Sequence, residues 1–82
     1  MQVAVRLFGP QASLAGSREL LVELEDEAAT AAQLLDRLGQ KEPKLAPSLG
    51  HSRVAINHAF ASDTQRIFPG DEVALIGMLG GG

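Results

Sequence analysis

The chain has 82 residues, a net charge of −3, no cysteine and three aromatic residues, all phenylalanine. A domain of this size buries only about 60 to 68% of its unfolded surface, so a deep catalytic cavity would consume much of its core; the lack of thiols excludes a disulfide framework, a thiolate metal site and a cysteine nucleophile. No basic stripe points to nucleic acid, and no apolar run of about 18 residues points to a membrane span or a signal segment, so one soluble, cytoplasmic domain is expected.

Val3, Val5 and Leu7 alternate with Gln2, Ala4, Arg6 and Phe8, the period of a half-buried strand that Gly9-Pro10 ends. Gln11 to Ala15 reads as a short helical turn closed by Gly16. Leu20, Val22 and Leu24 alternate with Glu19, Leu21 and Glu23 in a second strand, and the acidic cluster Glu23, Glu25, Asp26 and Glu27 follows, either as a solvated strand end or as a patch for a basic partner. Thr30 and Gln33 have the spacing of a capping box, and Ala31, Leu34, Leu35 and Leu38 make one apolar helical face. Gly39 is a plausible stop or weak point, Pro43 ends the element, and Lys44 to Leu49 reads as a loop or a further turn.

Val54 and Ile56 alternate with Arg53 and Ala55 in a third strand, after which Asn57-His58 forms a tight turn leading to Phe60. Asp63 to Phe68 connects to Pro69-Gly70, a type II turn signal, and Val73 to Ile76 forms the last strand, with Val73 and Leu75 inward. The order strand, strand, helix, strand, strand predicts an α+β domain, a mixed sheet covered on one face by one main helix. The other face is then open. Parity puts Phe8 and Ile76 on it, and with Phe60, Met78 and Leu79 they form an expected partner-contact patch beside the end of the chain.

Residues 1–76 read as the domain and residues 77–82 as a flexible glycine-rich tail ending in Gly80-Gly81-Gly82. A backbone without side chains enters a narrow slot that other residues would block, and the six residues from Gly77 span roughly 20 Å when extended. An α-carboxyl group, which ordinarily titrates at about pH 3.3 to 3.7, is an anion at neutral pH, a poor electrophile that needs activation. Adenylation by ATP on a partner enzyme would let an amine capture the terminus as an isopeptide, or a sulfur donor convert it to a thiocarboxylate. The chain itself shows no catalytic set: His51 and His58 lack neighbouring carboxylates at metal-ligand spacing, Ser48, Ser52 and Ser62 sit in no nucleophile elbow, and no helix follows the glycines to make a phosphate loop. Asp36 and Arg37 read as solvent-facing charges.

The segment Phe8-Gly9-Pro10-Gln11-Ala12-Ser13-Leu14-Ala15-Gly16, the helix starting at Thr30, Arg53-Val54-Ala55-Ile56-Asn57, Pro69-Gly70-Asp71-Glu72-Val73-Ala74-Leu75-Ile76 and the terminal glycines resemble the small, sulfur-carrying subunit of molybdopterin synthase, within the ubiquitin-like sulfur carriers. The resemblance covers essentially the whole chain and implies a β-grasp, ubiquitin-like fold. It implies that Gly82 is adenylated by a ubiquitin-activating-type enzyme that uses ATP, then converted to a thiocarboxylate. Gly80 and Gly81 would insert with it into the large synthase subunit, in molybdenum cofactor biosynthesis. Family contact positions fall on Phe8, Phe60 and Ile76. The carrier itself would bind no cofactor or metal. Gly77-Met78 stands where the family commonly has two prolines, and a third glycine precedes the usual pair. Carriers for thiamine (thiazole) or cysteine synthesis, and a ubiquitin-like modifier joined to lysines, stay open as alternatives.

Overall fold

The computed structural model describes residues 1–25 and 28–78. Strand β1 (Gln2–Arg6) leads into helix α1 (Gly9–Ala15), and strand β2 (Glu19–Glu23) returns antiparallel to β1. Helix α2 (Ala31–Lys41) follows, then a 3-10 turn (Pro43–Leu45) and the single turn α3 (Ala46–Leu49). Strands β3 (Ser52–Ile56), β4 (Ala59–Phe60) and β5 (Val73–Gly77) complete a five-stranded sheet of order β2-β1-β5-β3-β4. β5 pairs parallel with β1 and antiparallel with β3, so the sheet is mixed, as expected.

The alternation read from sequence sorts the two faces. Val3, Val5, Val22, Val54, Ile56, Val73 and Leu75 are buried on one side and meet Ala31, Leu34 and Leu38 of α2, with Leu7, Leu24, Leu45 and Ile67 closing the core. The helix starts as its sequence dictates: Thr30 Oγ1 accepts from Gln33 N at 3.3 Å and Gln33 Oε1 accepts from Thr30 N at 2.8 Å. Two further N–H groups of its first turn, those of Ala31 and Ala32, donate to the carbonyls of Gln65 and Asp63.

At four places the structure changes an expectation or decides between two left open. β1 stops at Arg6, and Phe8 is the N-cap of α1, because Gly9 adopts φ +52° and turns the chain into the helix at once. Gly39 lies inside α2, which runs to Lys41; its missing side chain leaves room for Leu49, whose Cδ1 would stand 3.2 Å from an added Cβ. Phe60, which follows the Asn57-His58 turn as expected, belongs to an additional two-residue strand that no period in the sequence marks. Lys44 to Leu49 is helical, since Pro43 and Pro47 sit in the first turns of their elements, where a missing N–H costs nothing.

Candidate functional site

On the open face, strand register lines up Glu19, Arg6, Ala74, Ala55 and Phe60 across all five strands. Three alanines, Ala4, Ala55 and Ala74, make a low floor, and Phe8, Phe60 and Ile76 rise around it to leave a groove of about 600 Å³. Phe8 is 49% exposed and Phe60 51%, so about half of each ring is free for further contact. The Arg53 guanidinium lies 4.7 Å from the centroid of the Phe60 ring and holds it on one side. Met78, also exposed, lies just beyond the end of β5. Leu79, Gly80, Gly81 and Gly82, expected to act with these residues, lie outside the described residues.

One end of the groove is fixed by the segments that carried the sequence resemblance. Asn57 and His58 both have positive φ, 51° and 70°, so the two-residue turn between β3 and β4 has the twist that suits a tight hairpin. The Asn57 side chain spans to the strand entering the centre of the sheet: Nδ2 donates to Asp71 Oδ1 at 3.0 Å, and Oδ1 accepts from Glu72 N at 2.9 Å. Asp71 Oδ2 in turn accepts from Phe68 N at 2.8 Å across the Pro69-Gly70 turn, where Gly70 has φ +90° as type II geometry requires. His58 Nε2 and Glu72 Oε2 are 2.9 Å apart. These contacts set where β5 begins, and hence where it ends.

At the other end, Met78 N donates to His51 O at 2.8 Å, so the last described residue is still tied to the sheet. Beneath it lies a polar cluster that sequence reasoning missed. Gln11, 5% exposed, donates from Nε2 to Ser48 Oγ at 3.1 Å and to Ser52 Oγ at 2.7 Å. Both hydroxyls donate elsewhere, to Leu45 O and Ser48 O, so each offers Gln11 only an acceptor and the amide orientation is determined. Gln11 Oε1 therefore faces Gly77, without a hydrogen-bond partner, 3.4 Å from where a Gly77 Cβ would stand. No local pattern announces this: a glutamine in a short helix reads as a surface residue. The alanine floor was legible, because Ala4 and Ala74 occupy open-face positions of their strands.

Ser48 and Ser52 thus serve the Gln11 cluster, and Ser62 lies 3.4 Å from Thr64. His51 and His58 are separated, and among the described residues no group of three or more His, Cys, Asp or Glu side chains is placed to hold a metal. Of the acidic cluster, Glu23 lies 3.9 Å from the chain amine and Glu25 accepts from Arg37 at 2.8 Å, whereas Asp26 and Glu27 lie outside the described residues. Among the described residues no helix is long and apolar enough to cross a membrane.

The model of the ThiS family matches residues 5–82. SAMP1 from Haloferax volcanii, 30% identical, superposes with a TM-score of 0.84 over 100% of both chains. A putative molybdopterin converting factor subunit 1 from Pyrococcus furiosus is 22% identical, with a TM-score of 0.83 over 96% of this chain and 99% of that one. In a complex of subunits 1 and 2 of molybdopterin-converting factor from Helicobacter pylori, a chain 24% identical superposes with a TM-score of 0.66 over 100% of both. At these lower identities the likeness shows the fold, a ubiquitin-like β-grasp. No curated protein matches the sequence significantly.

Proposed function

The chain belongs to the ThiS family of ubiquitin-like sulfur carriers, and on that premise we propose that the carboxylate of Gly82 is the group that carries the sulfur. The carboxylate attacks the α-phosphate of ATP on a ubiquitin-activating-type adenylating enzyme, which releases pyrophosphate and leaves an acyl-adenylate. A sulfur donor then displaces AMP to give a thiocarboxylate. The large subunit of molybdopterin synthase accepts the tail, with Gly80 and Gly81 passing through its entrance, and the sulfur goes to the pterin precursor of the molybdenum cofactor. The open face, with Phe8, Phe60, Ile76 and Met78, docks on both partners in turn, and Leu79, next in sequence after Met78, would contact them too.

The observation that carries this reading is the position of β5. It is the middle strand of the sheet, paired on both sides, and Met78 N is still bonded to His51 O. The four residues that follow start from a rigid point beside the groove, and their sequence spans at most roughly 14 Å. An active site reached over so short a distance must sit close against the face that carries Phe8 and Ile76. The Helicobacter pylori complex, in which a chain of the same fold is joined to subunit 2, supports a large-subunit partner. The test is the intact mass of the chain coexpressed with the adenylating enzyme and a sulfur donor. Exchange of one oxygen for sulfur at Gly82 is expected, and a terminus that stays a carboxylate refutes the proposal.

A second reading has its own support. One neighbour of 29% identity is described as a small archaeal modifier protein, which favours transfer of the adenylated Gly82 to lysines of other proteins. Glycine remnants on lysines, mapped by mass spectrometry of digested cell extracts, would support it. Their absence, in cells where the thiocarboxylate is detected, would leave sulfur transfer alone.

A further inference from the structure

Two guanidiniums stand exposed on the open face, Arg6 on β1 and Arg53 on β3, and among the described residues neither has a carboxylate within ion-pair distance. Two of the acids around the groove are already engaged: Asp71 accepts from Asn57 and Phe68, and Glu72 lies against His58. Glu19 stands opposite Arg6 in register without pairing with it. The Arg53 guanidinium carbon stands 4.7 Å from the centroid of the Phe60 ring, and among the described residues its N–H groups meet no carboxylate.

A partner that covers this face must withdraw both cations from water. Leaving a guanidinium buried and unpaired against apolar surface is strongly unfavourable, so the partner has to supply acceptors. The whole chain carries a net charge of −3 and would tend to repel an acidic protein, so the attraction must be local to this face. Register also fixes the spacing. Arg6 is level with Ala74, and Arg53 with Ile76 two residues further along β5 on its other side. Two strand spacings and two residue rises put the Cα atoms roughly 12 Å apart.

We propose that the docking partner is a protein surface carrying two carboxylates on either side of an apolar ridge, one meeting Arg6 and one meeting Arg53 while the ridge fills the groove between Phe8 and Phe60. This rests on the docking role of the open face given above. It adds that the two arginines select the partner, because an apolar ridge lacking the acids would leave both guanidiniums unpaired.

The experiment measures binding of the full chain to the adenylating enzyme from the same genome by calorimetry, for wild type, Arg6→Glu, Arg53→Glu, Arg53→Gln and Phe8→Asp. Circular dichroism and urea unfolding check that each variant folds; both arginines are exposed. Each Arg→Glu change is expected to weaken binding about tenfold or more at about 0.1 M salt and distinctly less at about 1 M, where the screening length falls from about 10 to 3 Å. Arg53→Gln is expected to fall between, and a Glu→Lys or Asp→Lys change in the enzyme to restore binding of Arg53→Glu. Affinity within twofold of wild type for both Arg→Glu variants, with Phe8→Asp impaired, overturns the acidic-partner inference and keeps the docking face. If Phe8→Asp also binds normally, the docking face itself is refuted. Loss of binding to a thymidine oligonucleotide, with enzyme binding unchanged, would assign the arginines to phosphates and likewise overturn the inference.

Discussion

Phe8→Asp separates docking from folding more cleanly than any other change on the open face. A phenylalanine buries about 150 to 250 Å², and Phe8 is 49% exposed, so roughly 100 Å² remains for a partner to cover. At about 25 cal/mol per Å² that area is worth about 2.5 kcal/mol, or roughly a 60-fold change in affinity. A carboxylate pressed into an apolar contact adds a desolvation cost, so 60-fold is a lower bound. On the folding side the same substitution loses the packed half of the ring, about 2.5 kcal/mol by the same conversion. Part of that loss returns. Phe8 is the N-cap of α1 with φ −136° and ψ 156°, and it makes no side-chain capping bond. Pro10 has no N–H, so the new carboxylate would accept from Gln11 N, a cap worth about 0.5 to 2 kcal/mol. We therefore expect unfolding in urea to stay cooperative, with stability lowered by about 1 kcal/mol. Calorimetry against the adenylating enzyme should show binding weakened at least 60-fold. Wild-type affinity would refute the docking role, and loss of cooperative unfolding would place Phe8 in the core.

Three further outcomes follow from other contacts. Asn57→Ala removes two side-chain hydrogen bonds, each worth about 0.5 to 1.5 kcal/mol, and forces alanine into φ 51° at a cost of about 1 to 2 kcal/mol. Asn57→Gly loses only the bonds, so thermal denaturation should place it several degrees above the alanine variant, and the reverse order would mean the turn relaxes. Gln11→Met exchanges two bonds for relief of an unpaired buried carbonyl and should change stability by less than about 1 kcal/mol. Gln11→Glu buries a charge with no cation beside it and should cost several kcal/mol at neutral pH in urea titration; wild-type stability would show that the site opens to water. Deleting Gly81 and Gly82 should leave the melting temperature unchanged while abolishing thiocarboxylate formation, and formation by the truncated chain would move the modified group elsewhere.

The two faces of the sheet were legible because strand alternation is a local property: residues two apart share a side whatever the rest of the chain does. The capping box at Thr30 and the type II turn at Pro69-Gly70 were legible for the same reason, each being complete within four residues. Gln11 was not. Its burial depends on Ser48 and Ser52, far along the chain, and helical periodicity carries no trace of them. Nor were the ring-held Arg53 and the extra strand at Phe60, since a two-residue strand is too short for a period and exists only through its pairing with Ala55 and Ile56.

By itself, then, the sequence settled the faces, the helix start, the turns and a side-chain-free terminus, all of which follow from the local preferences of consecutive residues. Tertiary structure alone decided that the last strand is the central one, that Asn57 fixes the entry of that strand and His51 holds its exit, and that Arg6 and Arg53 flank the alanine floor without a carboxylate partner among the described residues. Those facts arise from strand order and long-range register, which are set by which pairing buries the most apolar surface at once, and no short stretch of chain contains that information.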